Sequence, residues 1–156
     1  MLNRIKAFFI SDEAPEREED AVHAAAAALL VEAARTDNTI TESERERILA
    51  VTRRCFNLSE EEAQDLLSAA VFDTEGTSPY HRYVSVIMER CPPDQRLWIV
   101  EMLWEVAYAD GQLNDLEASL LRRIGGLLHV SDLDRGEARK RVLARLGLPE
   151  DTGLPV

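Results

Sequence analysis

The segment 97–109 constrains the fold more than any other. It carries Leu97, Trp98, Ile99, Val100, Leu103, Trp104, Val106 and Ala107. A helix apolar nearly all round belongs in the middle of a bundle. Both tryptophans therefore read as core packing rather than as a ligand cage. The preceding segment supports that setting. Tyr80, Tyr83, Val84, Ile87, Met88 and Cys91 recur at i, i+3, i+4 and i+7, the stripe of an amphipathic helix. Pro92-Pro93 ends that helix and can start the next.

Other segments repeat the pattern. Residues 21–36 are alanine-rich, and alanine has the best helix propensity. Val22, Ala26, Leu29, Leu30 and Ala33 form the inner stripe, and the alanines let a neighbour approach closely. Residues 41–56 put Ile48, Val51 and Cys55 on one face. Ser59 with Glu62 opens the helix 59–72 as a capping box. Residues 114–128 and 131–146 are two further helices, and Gly147 with Pro149 closes the last. Gly125-Gly126 interrupts one of them, with close packing as the reason. Nothing alternates with period two, and Gly and Pro total 13, too few for the turns of an all-β chain. The expected fold is an all-α bundle of seven or eight helices. Its domain is residues 21–147. Ahead of it come a short amphipathic helix (Leu2, Ile5, Phe8, Phe9), docked on the protein's own core, and an acidic linker over 11–20. Residues 148–156 read as a loose tail.

Charge and composition narrow the function. The chain has 156 residues, with 29 acids against 18 Lys and Arg, a net charge of −11. That balance disfavours nucleic acid and acidic lipid as general partners. No apolar run reaches membrane-spanning length and the N-terminus lacks signal-peptide character, so peripheral contact is the one membrane association compatible with it. Cys55 and Cys91 make no disulfide framework, and a reducing cytoplasm is the expected location. No spacing suggests a Ser-His-Asp or Cys-His centre or a phosphate loop, so the expectation is a non-enzymatic protein. Both cysteines lie on apolar stripes and read as inert, although Arg53-Arg54 beside Cys55 would favour a thiolate. The last helix is basic (Arg135, Arg139, Lys140, Arg141, Arg145). It is either a solvated face or a docking surface for an acidic protein partner or phosphate head groups.

An internal repeat organises the acids. A shift of 73 lays 31–44 over 104–117. Glu32 then falls on Glu105, Asp37 on Asp110, Glu42 on Asp115 and Glu44 on Glu117. Chance predicts about one such acid coincidence over a window this long. Each unit is a helix, an acidic turn and a second helix, followed by the similar phrases NLSEEEA and HVSDLDR. The expected architecture is two pseudo-repeated helical hairpins.

Two readings of these acids stand side by side. In the first they are caps and turns. Thr41-x-x-Glu44 and Asn114-x-x-Glu117 are capping boxes, Asp37 and Asp110 form Asx-type turns, and Glu105 shares a polar strip with Glu101. In the second the carboxylates converge on a hard cation of the Ca²⁺ or Mg²⁺ class. The spacing is not that of an EF-hand, and His23, His81 and His129 are isolated, so zinc is not expected.

The phrases AALLVEAARTDNTITESERERI and IVEMLWEVAYADGQLNDLEASLLRRIGGLLHVS resemble the tellurite-resistance TerB-like family, more closely its branch of short stand-alone bacterial proteins. The opening MLNRIKAFF and the central YHRYVSVIMER share the likeness, which spans roughly residues 1–145. The resemblance implies a duplicated all-helical bundle with an acidic cluster proposed to bind a divalent metal. Position by position, it implies Glu32, Asp37, Glu44, Glu105, Asp110 and Glu117 as the ligands. One turn departs from the pattern: Thr36-Asp37-Asn38 stands where the family has Ala-Asp-Gly or Val-Asp-Gly. The family's link to tellurite is genetic context, and related domains in co-chaperones and stress complexes imply an interaction scaffold as the alternative to a metal-responsive module.

Overall fold

The computed structural model describes residues 18–35, 40–74, 80–108 and 115–148. Seven helices fill them: α1 (Glu18–Ala34), α2 (Glu42–Phe56), α3 (Glu60–Thr74), α4 (Tyr80–Arg90), α5 (Pro93–Ala107), α6 (Asp115–Leu127) and α7 (Asp132–Leu146). No strand occurs among the described residues. The all-α expectation holds. The N-terminal amphipathic segment 2–9 and the acidic turns 36–39 and 109–114 lie outside the described residues. Helix α1 begins at Glu18, inside the segment expected as an acidic linker over 11–20, whose remaining residues lie outside the described ones.

Helix α1 is the centre of the molecule. Ala24, Ala25, Ala26, Ala27, Ala28, Leu29, Leu30 and Val31 are all fully buried. Eight consecutive buried positions cover every direction around a helix, so the expected single stripe is replaced by burial all round. Alanine makes this possible. A methyl side chain leaves a thin cylinder, and α2, α3, α4, α5 and α6 all pack on it. Helix α5 is the second central element, against α1, α2, α6 and α7. Val100, Leu103 and Val106 face this core, and Trp104 stacks on Tyr108 with ring centroids 6.0 Å apart. The tryptophans part company here. Trp104 is buried, whereas Trp98 is 40 % exposed, which corrects its assignment to the core. Trp98 lies near the N-terminal end of α5, in a T-shaped contact with Phe56 with ring centroids 6.2 Å apart.

Local chemistry sets the helix ends. Thr41 Oγ1 accepts from the Glu44 N–H at 3.1 Å, and the Thr41 N–H donates to Glu44 Oε1 at 2.9 Å. Ser59 and Glu62 make the same reciprocal pair at the start of α3. The Ser59 N–H holds the Glu62 carboxyl below the usual carboxylate range. Two inter-helix turns share one construction. Asn57 ends α2 and His129 ends α6, both left-handed, with φ of 56° and 59°. Each is followed by a buried apolar residue, Leu58 or Val130, whose N–H closes back on the helix, and then by an N-cap serine, Ser59 or Ser131. These are the αL endings that leave few C-terminal carbonyls unsatisfied. Helix α6 runs unbroken through Gly125 and Gly126, so the glycines do not interrupt it. A Cβ on Gly125 would stand 3.0 Å from Arg135 Cδ, and its absence gives that side chain its path.

Burial all round makes α1 intolerant of size. Ala26→Leu is expected to destabilise the fold by about 1–3 kcal/mol, because no side of the helix can yield to three added carbons. Urea denaturation checks this; a variant as stable as the parent would mean that α1 has an open face.

Candidate functional site

The acid Glu105 organises the most distinctive polar group in the molecule. It sits on the buried part of α5 and is only 2 % exposed. An ionised carboxylate there demands partners. Two neighbouring helices provide them. From the last turn of α2, Arg54 Nη2 donates to Oε1 at 2.9 Å and to Oε2 at 3.0 Å. From the last turn of α7, Arg145 Nη2 donates to Oε1 at 3.4 Å. One helical turn earlier, Glu101 accepts from Arg145 Nη1 at 3.1 Å and from Arg141 Nη2 at 3.3 Å. Glu101 and Glu105 are four apart on α5, and Arg141 and Arg145 are four apart on α7. Matched spacing aligns the two pairs as rungs of one ladder. The shared polar strip expected for Glu101 and Glu105 is therefore real, and Arg145 joins its two members.

Above this ladder is a cleft of about 230 Å³, lined by Arg54, Cys55, Trp98, Glu101, Met102, Glu105 and Arg145. Its charges are layered. The carboxylates are sunk, with side chains 2 % exposed at Glu105 and 14 % at Glu101. The guanidinium side chains face out, 57 % exposed at Arg54, 48 % at Arg145 and 46 % at Arg141. The hydrogen bond to Glu105 raises the pKa of Arg54, so the cation is reinforced. Cys55 is half-buried, and burial pushes its thiol up more strongly than Arg54 pulls it down. Burial likewise raises Cys91. Both cysteines keep their protons at neutral pH, as the inert reading expects.

The remaining sequence-derived site acids have other partners. Glu44 is buried and belongs to the Thr41 capping box. Glu32 is half-buried on α1 and adds its charge to the surroundings of Tyr83. The Tyr83 hydroxyl donates to the Asp73 carboxylate, which Arg82 Nη1 approaches at 3.7 Å. Burial first, and Asp73 second, raise the pKa of the Tyr83 phenol. Asp37, Asp110 and the side chain of Glu117 lie outside the described residues. Among the described residues, no three His, Cys, Asp or Glu side chains form a group that could hold a metal ion.

The basic last helix divides differently from either expectation. Arg139 is only 7 % exposed; its Nε donates to the Tyr108 hydroxyl at 2.9 Å and its guanidinium lies 5.9 Å from the Tyr108 ring centre. Arg135 pairs with Asp132, and Arg141 and Arg145 bind the α5 acids. Three of the five basic residues, Arg139, Arg141 and Arg145, thus anchor α7 to its neighbours, while the Arg135 pair lies within the helix. Sequence reasoning missed the partnership of Arg54 and Arg145 with Glu105. For Arg145 the i, i+4 acid pair and the i, i+4 arginine pair were the visible signal; for Arg54 there was none.

The raised thiol predicts slow chemistry. At pH 7.5 iodoacetamide is expected to alkylate Cys55 several-fold more slowly than free cysteine, with the rate climbing as pH passes the ordinary thiol range of about 8.5. A mass-spectrometric time course checks this; faster reaction than free cysteine would mean that Arg54 outweighs burial.

No curated protein and no solved structure matches the chain. A family model does: the one described as tellurite resistance protein TerB matches residues 23–140. That span runs from the first buried turn of α1 into α7 and stops short of Arg141 and Arg145. The chain belongs to the TerB family.

Proposed function

We propose that this TerB-family chain is a non-catalytic binding module whose working surface is the cleft between α2, α5 and α7, and that it engages a protein partner there without a metal. The layering of charge in the cleft carries this reading: buried carboxylates fix exposed arginines in place around a partly exposed tryptophan. Arg and Trp are the residues most enriched where binding energy concentrates. The protonated thiols favour a binding role over nucleophilic chemistry at this site. Two free cysteines fit a reducing, cytoplasmic setting. The common construction of the α2–α3 and α6–α7 turns supports descent of the two halves from one duplicated unit.

The second reading is a divalent cation of the Ca²⁺ or Mg²⁺ class held by Glu32, Asp37, Glu44, Glu105, Asp110 and Glu117. The matched acid spacing favours it. In that reading Glu105 exchanges Arg54 and Arg145 for the ion, and Glu44 gives up its cap. Thermal unfolding after chelation, followed by add-back of Ca²⁺ or Mg²⁺, separates the two. Binding to the folded state alone raises the midpoint by mass action. The metal-free reading predicts a midpoint constant to about 1 °C across these conditions. A saturable rise that disappears in Asp37→Asn/Asp110→Asn would establish the cation instead. The partner surface is tested by a photo-cross-linking residue at position 98 or, as control, at the exposed Leu133. One protein, identified from position 98 alone and lost in Arg54→Ala/Glu105→Gln, is the expected result. Equal capture from both positions would remove the cleft from the account.

A further inference from the structure

The cleft also specifies the chemistry of what enters it, given the reading of it as a partner surface. Its volume of about 230 Å³ lies below the roughly 300–1,000 Å³ typical of small-molecule sites. A space of that size takes one or two anchoring side chains of a protein. Trp98 and Met102 give it an apolar wall. The charge offered to an incoming group is positive, because Glu101 and Glu105 are sunk while Arg54, Arg141 and Arg145 face solvent. The lining itself is formally neutral, Arg54 and Arg145 against Glu101 and Glu105, on a chain of net charge −11. What it offers is a short-range contact at the exposed guanidinium heads, since the whole-molecule field repels a polyanion. Arg54 is suited to that contact. Nη2 makes both of its bonds to Glu105, and its Nε and Nη1 have no carboxylate partner among the described residues. A guanidinium group carries five N–H donors, so Arg54 can give a single charge-assisted bond to a second carboxylate from Nη1 or Nε while Nη2 stays on Glu105.

We infer that the cleft binds a protein segment in which a Glu or Asp side chain adjoins a large apolar side chain, the carboxylate meeting Arg54 and Arg145 and the apolar group resting on Trp98 and Met102. A carboxylate that adds a charge-assisted hydrogen bond to these exposed arginines is favoured over its amide counterpart. The buried Glu105 keeps Arg54 and Arg145 positioned before the ligand arrives, so little side-chain freedom is lost on binding.

The test uses the full chain and two probes, acetyl-Phe-Glu-Leu-amide and acetyl-Phe-Gln-Leu-amide, followed by amide NMR shifts. The expected result is saturable shifts confined to residues 53–56, 97–105 and 141–146. Binding of the Glu peptide is expected to be at least about five-fold tighter than that of the Gln peptide, with the difference shrinking at high salt. In Arg54→Ala/Glu105→Gln, which removes both members of the pair and leaves no buried charge unpaired, the preference should fall to within two-fold. Equal affinity for the two peptides would refute the acidic specificity while leaving the cleft a binding surface. Shifts elsewhere, or none at millimolar peptide, would refute both. Three further results would also overturn the inference. Cleft resonances that move on dilution would name a second copy as occupant. Resonances that move on deletion of 149–156 would name the chain's own tail. Binding of anionic vesicles without binding of the peptide would name a membrane.

Discussion

Everything in this molecule is arranged around a helix of unusual thinness. Five successive alanines, Ala24 to Ala28, are fully buried in α1, and five other helices reach it. Larger side chains would hold those neighbours apart and leave α1 with a solvent face. Leu29, Leu30 and Val31 then add bulk at one end of the same helix, each worth roughly 1.5–3 kcal/mol of burial. Helix α5 repeats the principle with larger residues, so its surroundings are less complete. Trp98 and Glu101 emerge at its open side, and the cleft lies there.

The second dependence is electrostatic. Glu105 is deeper than a carboxylate tolerates alone, and its partners come from helices far away in sequence. A buried ion pair is weak evidence for stability, since apolar replacements of the same shape often do as well. Its more certain effect is geometric. It fixes the ends of α2 and α7 relative to α5, and it turns two flexible arginines into oriented ones. The acid that the family resemblance places in a metal site is thereby already satisfied. Glu44 is likewise satisfied by backbone, through Thr41. Turn and cap chemistry therefore accounts for one of the six acids and ion pairing for another.

The sequence made the helices legible because their signals are local. Capping boxes at Thr41 and Ser59, the stop at Gly147 and the proline start at Pro93 all appear where short-range chemistry puts them. The centrality of α1 was not legible in the same way. A run of alanines has almost no amphipathic contrast, so periodicity reveals a stripe where packing makes a core. Trp98 was misplaced for a related reason: apolar character all round a helix does not say where along its length the neighbours end. The cleft was harder still. Arg54 and Glu105 are 51 residues apart, and no local pattern joins them. Only the matched spacing of Glu101 and Glu105 with Arg141 and Arg145 hinted at a ladder.

The central claim is that Glu105 serves as the internal anchor of an arginine-rimmed cleft. A double-mutant cycle tests it directly, using urea denaturation of the parent, Arg54→Ala, Glu105→Gln and the double variant. Because Arg54 is more than half exposed, solvent screening moderates the pair, and a coupling energy of about 1–2 kcal/mol is the expected result. Either single change should then cost more than its share of the double. A coupling below about 0.3 kcal/mol would contradict the account, because Arg54 would then be a solvated side chain and the cleft would lose its anchor.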